Sequence, residues 1–325
     1  MPETPDPAPD HGAAPYLYLL VTMALFGAAF TSSKVVVGEL PHDVAAFLRF
    51  GGGAVILALL LCLRPGAAKF SWRDLARAGT VGLVGVFAYN FFFFWGLSLA
   101  PSIDGGIIVP VLSPVLTTLY FLVTGRETAS AARITGLVLG IAGSVVFFAG
   151  IGDTGSGFSG SRLAGDFVYL AGAACWAAYS VASKKVLSGM EPLRATTYAT
   201  GVGAAALVLV AIPSLPDANW AGVSETSWLN LVFLAIGPTA VAYLFYYRGL
   251  RSVSPVTATI TMFAVPVFTT ITSVTFLGES FTTGQLIGAV ITVAGAVLAV
   301  TQGRLGRRAP RHVRRTVGRE EKVDR

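Results

Sequence analysis

Apolar segments of about twenty residues follow one another along almost the whole chain, separated by short polar connections. A helix needs roughly 20 residues to cross the hydrocarbon core of a bilayer, and a backbone in lipid must satisfy its own hydrogen bonds. The runs are continuous and show no period-two alternation, so they predict helices and not a barrel. We expect ten transmembrane helices, at roughly 15–36, 43–63, 76–97, 103–124, 132–150, 163–185, 193–213, 228–249, 255–277 and 283–302.

The composition agrees with a surface that faces lipid. Hydrophobic residues make up 54% of the chain and charged residues 12%, against roughly 25% charged in an ordinary soluble domain. Cys62 and Cys175 both lie inside apolar runs, so neither a disulfide framework nor a thiolate metal site is indicated. The sequence therefore predicts an all-α integral membrane protein that holds no metal and no cofactor.

The basic residues are divided unequally between the two sides that ten helices define. Of the 23 lysines and arginines, nine lie in the tail 303–325 and eleven in connections on the same side, whereas Arg162 lies on the other. Because cytoplasmic loops carry the excess of basic residues, we expect a plasma (inner) membrane protein with both termini in the cytoplasm. The basic tail is expected to contact the lipid bilayer, not nucleic acid, and residues 1–14 form a disordered tail.

The two halves of the chain resemble each other. Pro114 matches Pro266, and Glu127 matches Glu279, at a shift of 152 residues. Each half holds five helices, and because five is odd the second half must enter the membrane from the opposite face. Ten transmembrane helices in two inverted five-helix repeats are an architecture found in many secondary transporters. The predicted segments are repeat 1 at 15–150, a linker at 151–162 and repeat 2 at 163–302.

Short motifs in both halves are similar to those of one transporter family. They are Phe26-Gly27-Ala28-Ala29-Phe30, Lys34, Leu48-Arg49-Phe50, Gly96-Leu97-Ser98 and Leu112-Ser113-Pro114-Val115 in the first half, and Trp176-Ala177, Val265-Pro266-Val267 and Gly278-Glu279 in the second. On these motifs, over about residues 16–302, the chain resembles an EamA-type member of the drug/metabolite transporter (DMT) superfamily. The resemblance implies a ten-helix carrier with a central cavity, usually an exporter of amino acids or other metabolites. Phe26 departs from the usual tryptophan, and the first-helix glutamate of small multidrug exporters is absent, so their proton-coupling scheme is not implied.

Side chains that are aromatic or can form hydrogen bonds recur at the same depth in the third and eighth helices. Asn90 aligns with Tyr243 across the repeats, and both lie deep within their helices. Such side chains can stack on and hydrogen-bond an amphipathic substrate; the alternative is an interfacial belt of tyrosine and tryptophan. The residues predicted to bind substrate are Tyr89, Asn90, Trp95, Tyr243 and Tyr246.

Prolines stand near the middle of the fourth and ninth helices. Pro114 and Pro266 occupy matched positions, and Pro110 adds a second proline to the fourth helix. A proline frees a backbone carbonyl and bends a helix, and matched interruptions point to a transporter binding site. The alternative is a kink that serves packing alone.

Arg49 and Asp104 are charged residues on the same side of the predicted bundle. An ionisable group within a membrane is energetically costly and usually functional. Arg49 lies roughly 10 Å below the membrane face, and either extends its side chain to that face or pairs with Asp104. Asp104 opens the fourth helix, and either takes part in proton coupling or caps the helix amides. Glu127 and Glu279, at helix ends, are expected to be structural.

Small residues repeat along one face of the fifth and tenth helices. The stripe Gly136, Gly140 and Gly143 has an echo in Gly288 and Gly295. Such stripes let helices approach closely. The predicted role of the stripe is helix packing, and a contact between two copies in a homodimer is the alternative.

These features favour a secondary-active transmembrane transporter over other classes. The chain contains no GxxxxGK[ST] loop for ATP. His11, His42 and His312 lie outside the predicted helices, so an intramembrane enzyme with a Ser–His dyad or a histidine-bound zinc is not expected. A non-transporting scaffold or sensor is the remaining alternative, which would need no inverted repeat. We predict an exporter of small metabolites, such as amino acids or drug-like compounds, by alternating access around a central cavity.

Overall fold

The computed structural model describes residues 14–64, 70–125, 130–150, 159–187, 189–246, 262, 264–280 and 282–301. Helices occupy these ranges almost entirely, and no strand occurs within them. The helices are α1 (Ala14–Val37), α2 (His42–Cys62), α3 (Trp72–Leu99), α4 (Ser102–Val123), α5 (Ala131–Gly150), α6 (Gly160–Val186), α7 (Pro192–Ala211), α8 (Glu225–Tyr246), α9 (Val265–Leu277) and α10 (Thr283–Thr301).

The predicted all-α membrane fold is confirmed. By length and apolar composition, α1, α2, α3, α7 and α8 each suffice to cross a membrane, and shorter apolar helices lie in α4, α5, α9 and α10. The predicted start of the ninth helix falls largely on residues outside the described ranges. α6 is the most polar helix, because it carries Arg162 and Asp166 near its start and Lys184 and Lys185 near its end.

Serine side chains set the starts of several helices. Ser71 accepts a hydrogen bond from the backbone N–H of Asp74 at the start of α3, and Ser159 accepts one from Arg162 at the start of α6. An N-cap serine satisfies an amide that has no partner inside the helix, which stabilises the end by about 1 kcal/mol. These capped ends lie in the short polar connections of the sequence.

Helices of one repeat pack mainly against helices of the other. α2 packs on α7 and α5 packs on α10, so each of these pairs joins a helix to its counterpart. α1 packs on α8 and α9, while α6 packs on α3 and α4. Exchanging the two repeats converts the contacts of α1 into those of α6, which is the two-fold relation of an inverted repeat.

The glycine stripes of α5 and α10 face each other. A Cβ atom added at Gly143 would collide with the backbone of Thr292, and one added at Gly295 would collide with the backbone of Gly140. The predicted packing role is therefore confirmed, and its partner is the matching stripe of the same chain.

The prolines differ in their position within the described helices. Pro110 and Pro114 lie inside α4, which continues through both. Pro266 is not in mid-helix in the described residues, because α9 begins at Val265. At the first turn of a helix a proline loses no internal hydrogen bond, so the described part of α9 shows no matched interruption.

Candidate functional site

A cavity lies between the two repeats, and side chains from both repeats line it. Helices α1 to α4 line it from the first repeat, and α6, α8 and α9 line it from the second. Five of the predicted site residues form part of its wall. The lining residues are Phe26, Ala29, Phe30, Arg49, Phe50, Tyr89, Asn90, Phe93, Val109, Pro110, Trp176, Tyr243, Met262 and Val265.

A π-helical segment precedes the cavity residues in each repeat. Leu83–Ala88 is wound this way in α3, immediately before Tyr89 and Asn90, and Ala235–Val241 is wound this way in α8, shortly before Tyr243. A π segment is wider than an α-helix and changes the direction of the side chains that follow, often at functional sites. The same distortion thus stands at matched positions of both halves.

Polar side chains are held to the backbone around these segments. Asn90 Nδ2 donates to the carbonyl of Val86 at 2.8 Å, and Thr239 Oγ1 donates to the carbonyl of Leu234 at 2.9 Å. The Asn90 side chain is almost fully buried. Within the described part of the chain its amide oxygen accepts no hydrogen bond, so it is placed to accept one from a bound molecule.

Aromatic rings from both repeats meet across the cavity. Tyr89 of α3 packs against Trp176 of α6 with ring centroids 4.9 Å apart. Phe26 of α1 lies edge-on to Tyr243 of α8, with ring centroids 5.8 Å apart. Walls of this kind bind flat or apolar groups.

Arg49 is a buried cation in the cavity wall. Its guanidinium carbon lies 4.8 Å from the centre of the Phe50 ring, 5.6 Å from that of Phe93 and 5.9 Å from that of Phe94. Among the described residues it makes one hydrogen bond, a long one of 3.5 Å from Nη1 to Ser33 Oγ, and its Nε has no hydrogen-bond partner. Both expectations for Arg49 are therefore wrong: it is only 6% exposed, and it forms no pair with Asp104.

Asp104 has a different partner. Arg162, at the start of α6, donates from Nε to Asp104 Oδ2 at 2.7 Å and from Nη2 to Oδ1 at 2.9 Å. The expected cap of α4 is also supplied elsewhere, because Glu279 accepts from the backbone N–H of Ser102 at 2.8 Å and of Ile103 at 3.0 Å. Glu279 thus has a structural role, as expected, whereas Asp104 is engaged in a buried ion pair between the repeats.

Further polar contacts close the same end of the bundle. Lys34 Nζ donates to the carbonyls of Leu97 at 2.6 Å and Ala100 at 2.8 Å, where α3 ends. Thr31 of α1 shares a hydrogen bond of 2.9 Å with Ser273 of α9. At the opposite end, Arg194 donates to Asp74 at 3.1 Å, and Arg64 pairs with Glu191.

Other predicted site residues lie away from the cavity. Trp95 is 37% exposed and stacks on the ring of His42 at 6.4 Å, as an interfacial tryptophan would. Tyr246 packs against the hydrophobic core outside the cavity wall. Pro114 and Pro266 also lie outside the wall. Sequence reasoning missed Asp166, a buried carboxyl on α6, and the two π segments. The described residues contain no group of side chains that could hold a metal ion.

Comparison with known proteins gives a consistent result. Residues 13–149 and 163–301 each match the EamA-like transporter family. The aromatic amino acid exporter YddG of Ancylobacter novellus is 32% identical over 273 residues, covering 82% of this chain and 90% of that protein. The uncharacterized transporter YyaM of Bacillus subtilis is 27% identical over 286 residues, covering 87% of this chain and 92% of that protein.

A third relative and a solved structure extend this likeness. The "Probable terminal-alkyne amino-acid exporter" of Streptantibioticus cattleyicolor is 25% identical over 293 residues, covering 89% of this chain and 94% of its own. A crystal structure with 24% identity superposes with a TM-score of 0.62 and covers 92% of this chain and 100% of its own, which supports the fold. The family and its members point to a transporter and not to an enzyme. The chain is a multi-pass membrane protein of apolar helices, and it belongs to the EamA-like transporter family of the DMT superfamily.

Proposed function

We propose that this transporter is a secondary-active exporter of small metabolites that carry a carboxylate and an apolar or aromatic group, amino acids among them. The observation that carries the proposal is the cavity between the repeats, where Arg49 has no acidic partner among the described residues. A buried cation without a counter-charge is costly, and a bound carboxylate would offset that cost through charge-assisted hydrogen bonds.

The remaining wall suits the rest of such a substrate. Tyr89, Trp176 and Tyr243 offer aromatic faces, and Asn90 offers an amide oxygen. Two relatives are named as exporters of amino acids, one of aromatic amino acids and one of terminal-alkyne amino acids.

The two-fold arrangement supports alternating access as the mechanism. The cavity lies between repeats whose contacts have two-fold related counterparts, so rocking one bundle against the other would open it to each side in turn. In this proposal repeat 1 spans 15–150 and repeat 2 spans 163–302. Both termini lie in the cytoplasm of an inner-membrane protein, and the end of the bundle that holds Asp104 and Arg162 is the outer end.

The test is efflux from proteoliposomes loaded with labelled amino acids and small aromatic acids. Tryptophan and its decarboxylated analogue tryptamine form a matched pair, of which only tryptophan is expected to leave the vesicles. Arg49→Gln should reduce the efflux of tryptophan by about 10- to 100-fold, which is the loss expected for one hydrogen bond to a charged group.

The matched control is Arg73→Gln, which removes an exposed arginine near the start of α3. This variant is expected to keep wild-type flux. The proposal fails if no loaded compound leaves the vesicles, or if tryptamine and tryptophan exchange equally well and Arg49→Gln changes neither.

A further inference from the structure

Asp166 is a buried carboxyl group without a hydrogen-bond donor. It lies on α6 one turn after Arg162 and is 1% exposed. Neither of its two carboxylate oxygens has a hydrogen-bond partner in the structure. Since a buried anion without donors is unstable, the carboxyl needs either a cation or a proton.

The cations near Asp166 are already engaged. Arg162 uses Nε and Nη2 on the two oxygens of Asp104. Lys34 donates to the carbonyls at the end of α3. Tyr169, one turn further along α6, directs its hydroxyl to the carbonyl of Pro101 at 3.3 Å.

The charges of this cluster do not balance. Asp104, Asp166 and Glu279 are three carboxyl groups that interact electrostatically with two cations, Arg162 and Lys34. With every group ionised the buried cluster carries one excess negative charge. A single added proton makes it neutral, and Asp166 is the member whose oxygens lack donors.

The groups around Asp166 identify which of them can accept a hydrogen bond from its protonated carboxyl group. The groups that face it are Asp104 from α4, and Arg162 and Tyr169 from its own helix. From α3, Leu99 and Ala100 contact the neighbouring Gly165, and neither titrates. Arg162, one turn before Asp166 on the same helix, donates to the Asp104 carboxylate, so the Asp104 and Asp166 carboxyl groups are neighbours. Two carboxyl groups can bond only if one of them carries a proton.

We propose that Asp166 and Asp104 form a proton-binding site that is filled when this end of the bundle closes. In the closed form the Asp166 hydroxyl donates to the Asp104 carboxylate, whose oxygens also accept from Arg162. When the repeats separate here, water solvates both carboxylates and the proton passes from Asp166 to water. The proposal rests on the alternating access described above, and it makes closure of this end a step that takes up one proton.

The first test needs no change at this site. In a Cys62→Ser, Cys175→Ser background, Ser273→Cys places a thiol at a fully buried position on the seam between α1, α4 and α9. Labelling by a membrane-impermeant thiol reagent reports how often this end opens. After correction for the ionisation of the thiol itself, the rate should rise by up to tenfold per pH unit over part of about pH 5 to 9.

Asp166→Asn supplies the comparison, because its amide donates to Asp104 as the protonated acid would. This variant should label slowly at every pH, while Glu225→Gln, an exposed substitution at the start of α8, keeps the wild-type pH dependence. In infrared difference spectra taken between low and high pH, the carbonyl band of a protonated carboxyl group should be present in the wild type and absent in Asp166→Asn.

The outcomes separate this inference from the proposed function. If the corrected labelling rate is independent of pH and the infrared band is unaffected by Asp166→Asn, the proton site is disproved, even where vesicle flux is normal. If labelling follows pH as expected but no substrate moves, the proton site stands and the transport proposal fails.

Discussion

The guanidinium of Arg162 donates hydrogen bonds to both oxygens of the Asp104 carboxylate, with donor–acceptor distances of 2.7 and 2.9 Å. Asp104 is fully buried and the Arg162 side chain is 11% exposed. The pair links α4 of the first repeat to α6 of the second across 58 positions of sequence. It therefore helps to hold the two halves together at one end of the bundle.

Arg162→Gln is expected to destabilise the protein by about 3–5 kcal/mol, because it leaves a buried carboxylate without its counter-charge. The measurement is unfolding in detergent followed by tryptophan fluorescence. Arg77→Gln is the control, since Arg77 lies 3.9 Å from Asp74 at a more exposed site and should lose less than about 1 kcal/mol. Equal losses in the two variants would contradict the role given to Arg162.

Glu279→Ala is expected to weaken the start of α4. Glu279 accepts hydrogen bonds from Ser102 and Ile103, and the loss of these buried contacts should lower the free energy of unfolding by about 1–3 kcal/mol. Glu225→Ala, which removes an exposed glutamate from the first turn of α8, should lower it by at most about 1 kcal/mol. A larger effect of Glu225→Ala would refute this account of the cap.

Gly295→Val is expected to prevent close packing of α10 on α5, because its side chain would meet the backbone at Gly140. A loss of more than about 3 kcal/mol, or failure to yield a folded protein, should follow. Gly201→Ala is the control in α7, where the added Cβ meets no side chain and no neighbouring helix within 4 Å. That change should stabilise the helix by about 0.5–1 kcal/mol. Thermal unfolding of both variants provides the measurement.

A pH-dependent contact joins the loop after α1 to the start of α8. Glu39 accepts hydrogen bonds from the backbone N–H of Ser224 at 2.7 Å and from its hydroxyl at 2.8 Å. The backbone hydrogen bond is the main cause that lowers the pKa of Glu39 below its ordinary value of 4.5. Because the folded pKa is the lower one, the contact contributes stability above pH 4.5 and loses it as the pH falls through the folded pKa.

The difference in melting temperature between wild type and Glu39→Gln should therefore be present at pH 7 and vanish in acid. Since Glu39 is exposed, the difference is expected to be small and to shrink with added salt. A difference that grows as the pH falls would show that the sign is wrong.

Substrate should protect cavity residues from labelling. Single cysteines at Asn90 and Tyr243, in a background without the native cysteines, are expected to react several-fold more slowly when a transported carboxylate is bound. Trp95→Cys is the discriminating control, because Trp95 lies outside the cavity wall on the same helix as Asn90. Protection of Trp95→Cys alone would support the substrate-binding role that the sequence predicted for Trp95 and refute the cavity described here.

Much of the fold could be predicted because lipid imposes simple demands. Apart from the start of the ninth helix, which falls largely outside the described residues, runs of apolar residues recovered the helices to within a few residues. The odd number of helices in each half implied the inversion. Depth within a helix selected Asn90 and Tyr243, and both line the cavity, whereas their binding of substrate stays a prediction. Depth could not decide which way a side chain faces, so Trp95 and Tyr246 were assigned to the cavity although they lie outside its wall.

Contacts between distant helices could not be predicted in this way. The partner of Asp104 is set by how α4 packs on α6, and the linear sequence offered Arg49 as an equally plausible cation. The π segments gave no usable signal, because a segment such as Leu83–Ala88 has the composition of an ordinary apolar helix. Asp166 reads as one of several polar residues near the start of α6, and its isolation emerges only when its neighbours are known.

The backbone contact between α5 and α10 has a mechanical consequence. At Gly143, Gly288 and Gly295 the backbones of the two helices meet directly, so no layer of large side chains separates them there. We expect the pair to move as one unit. In the alternating access proposed above, the other helices would then turn about this pair, and glycines outside the cavity wall would set the axis along which the cavity opens.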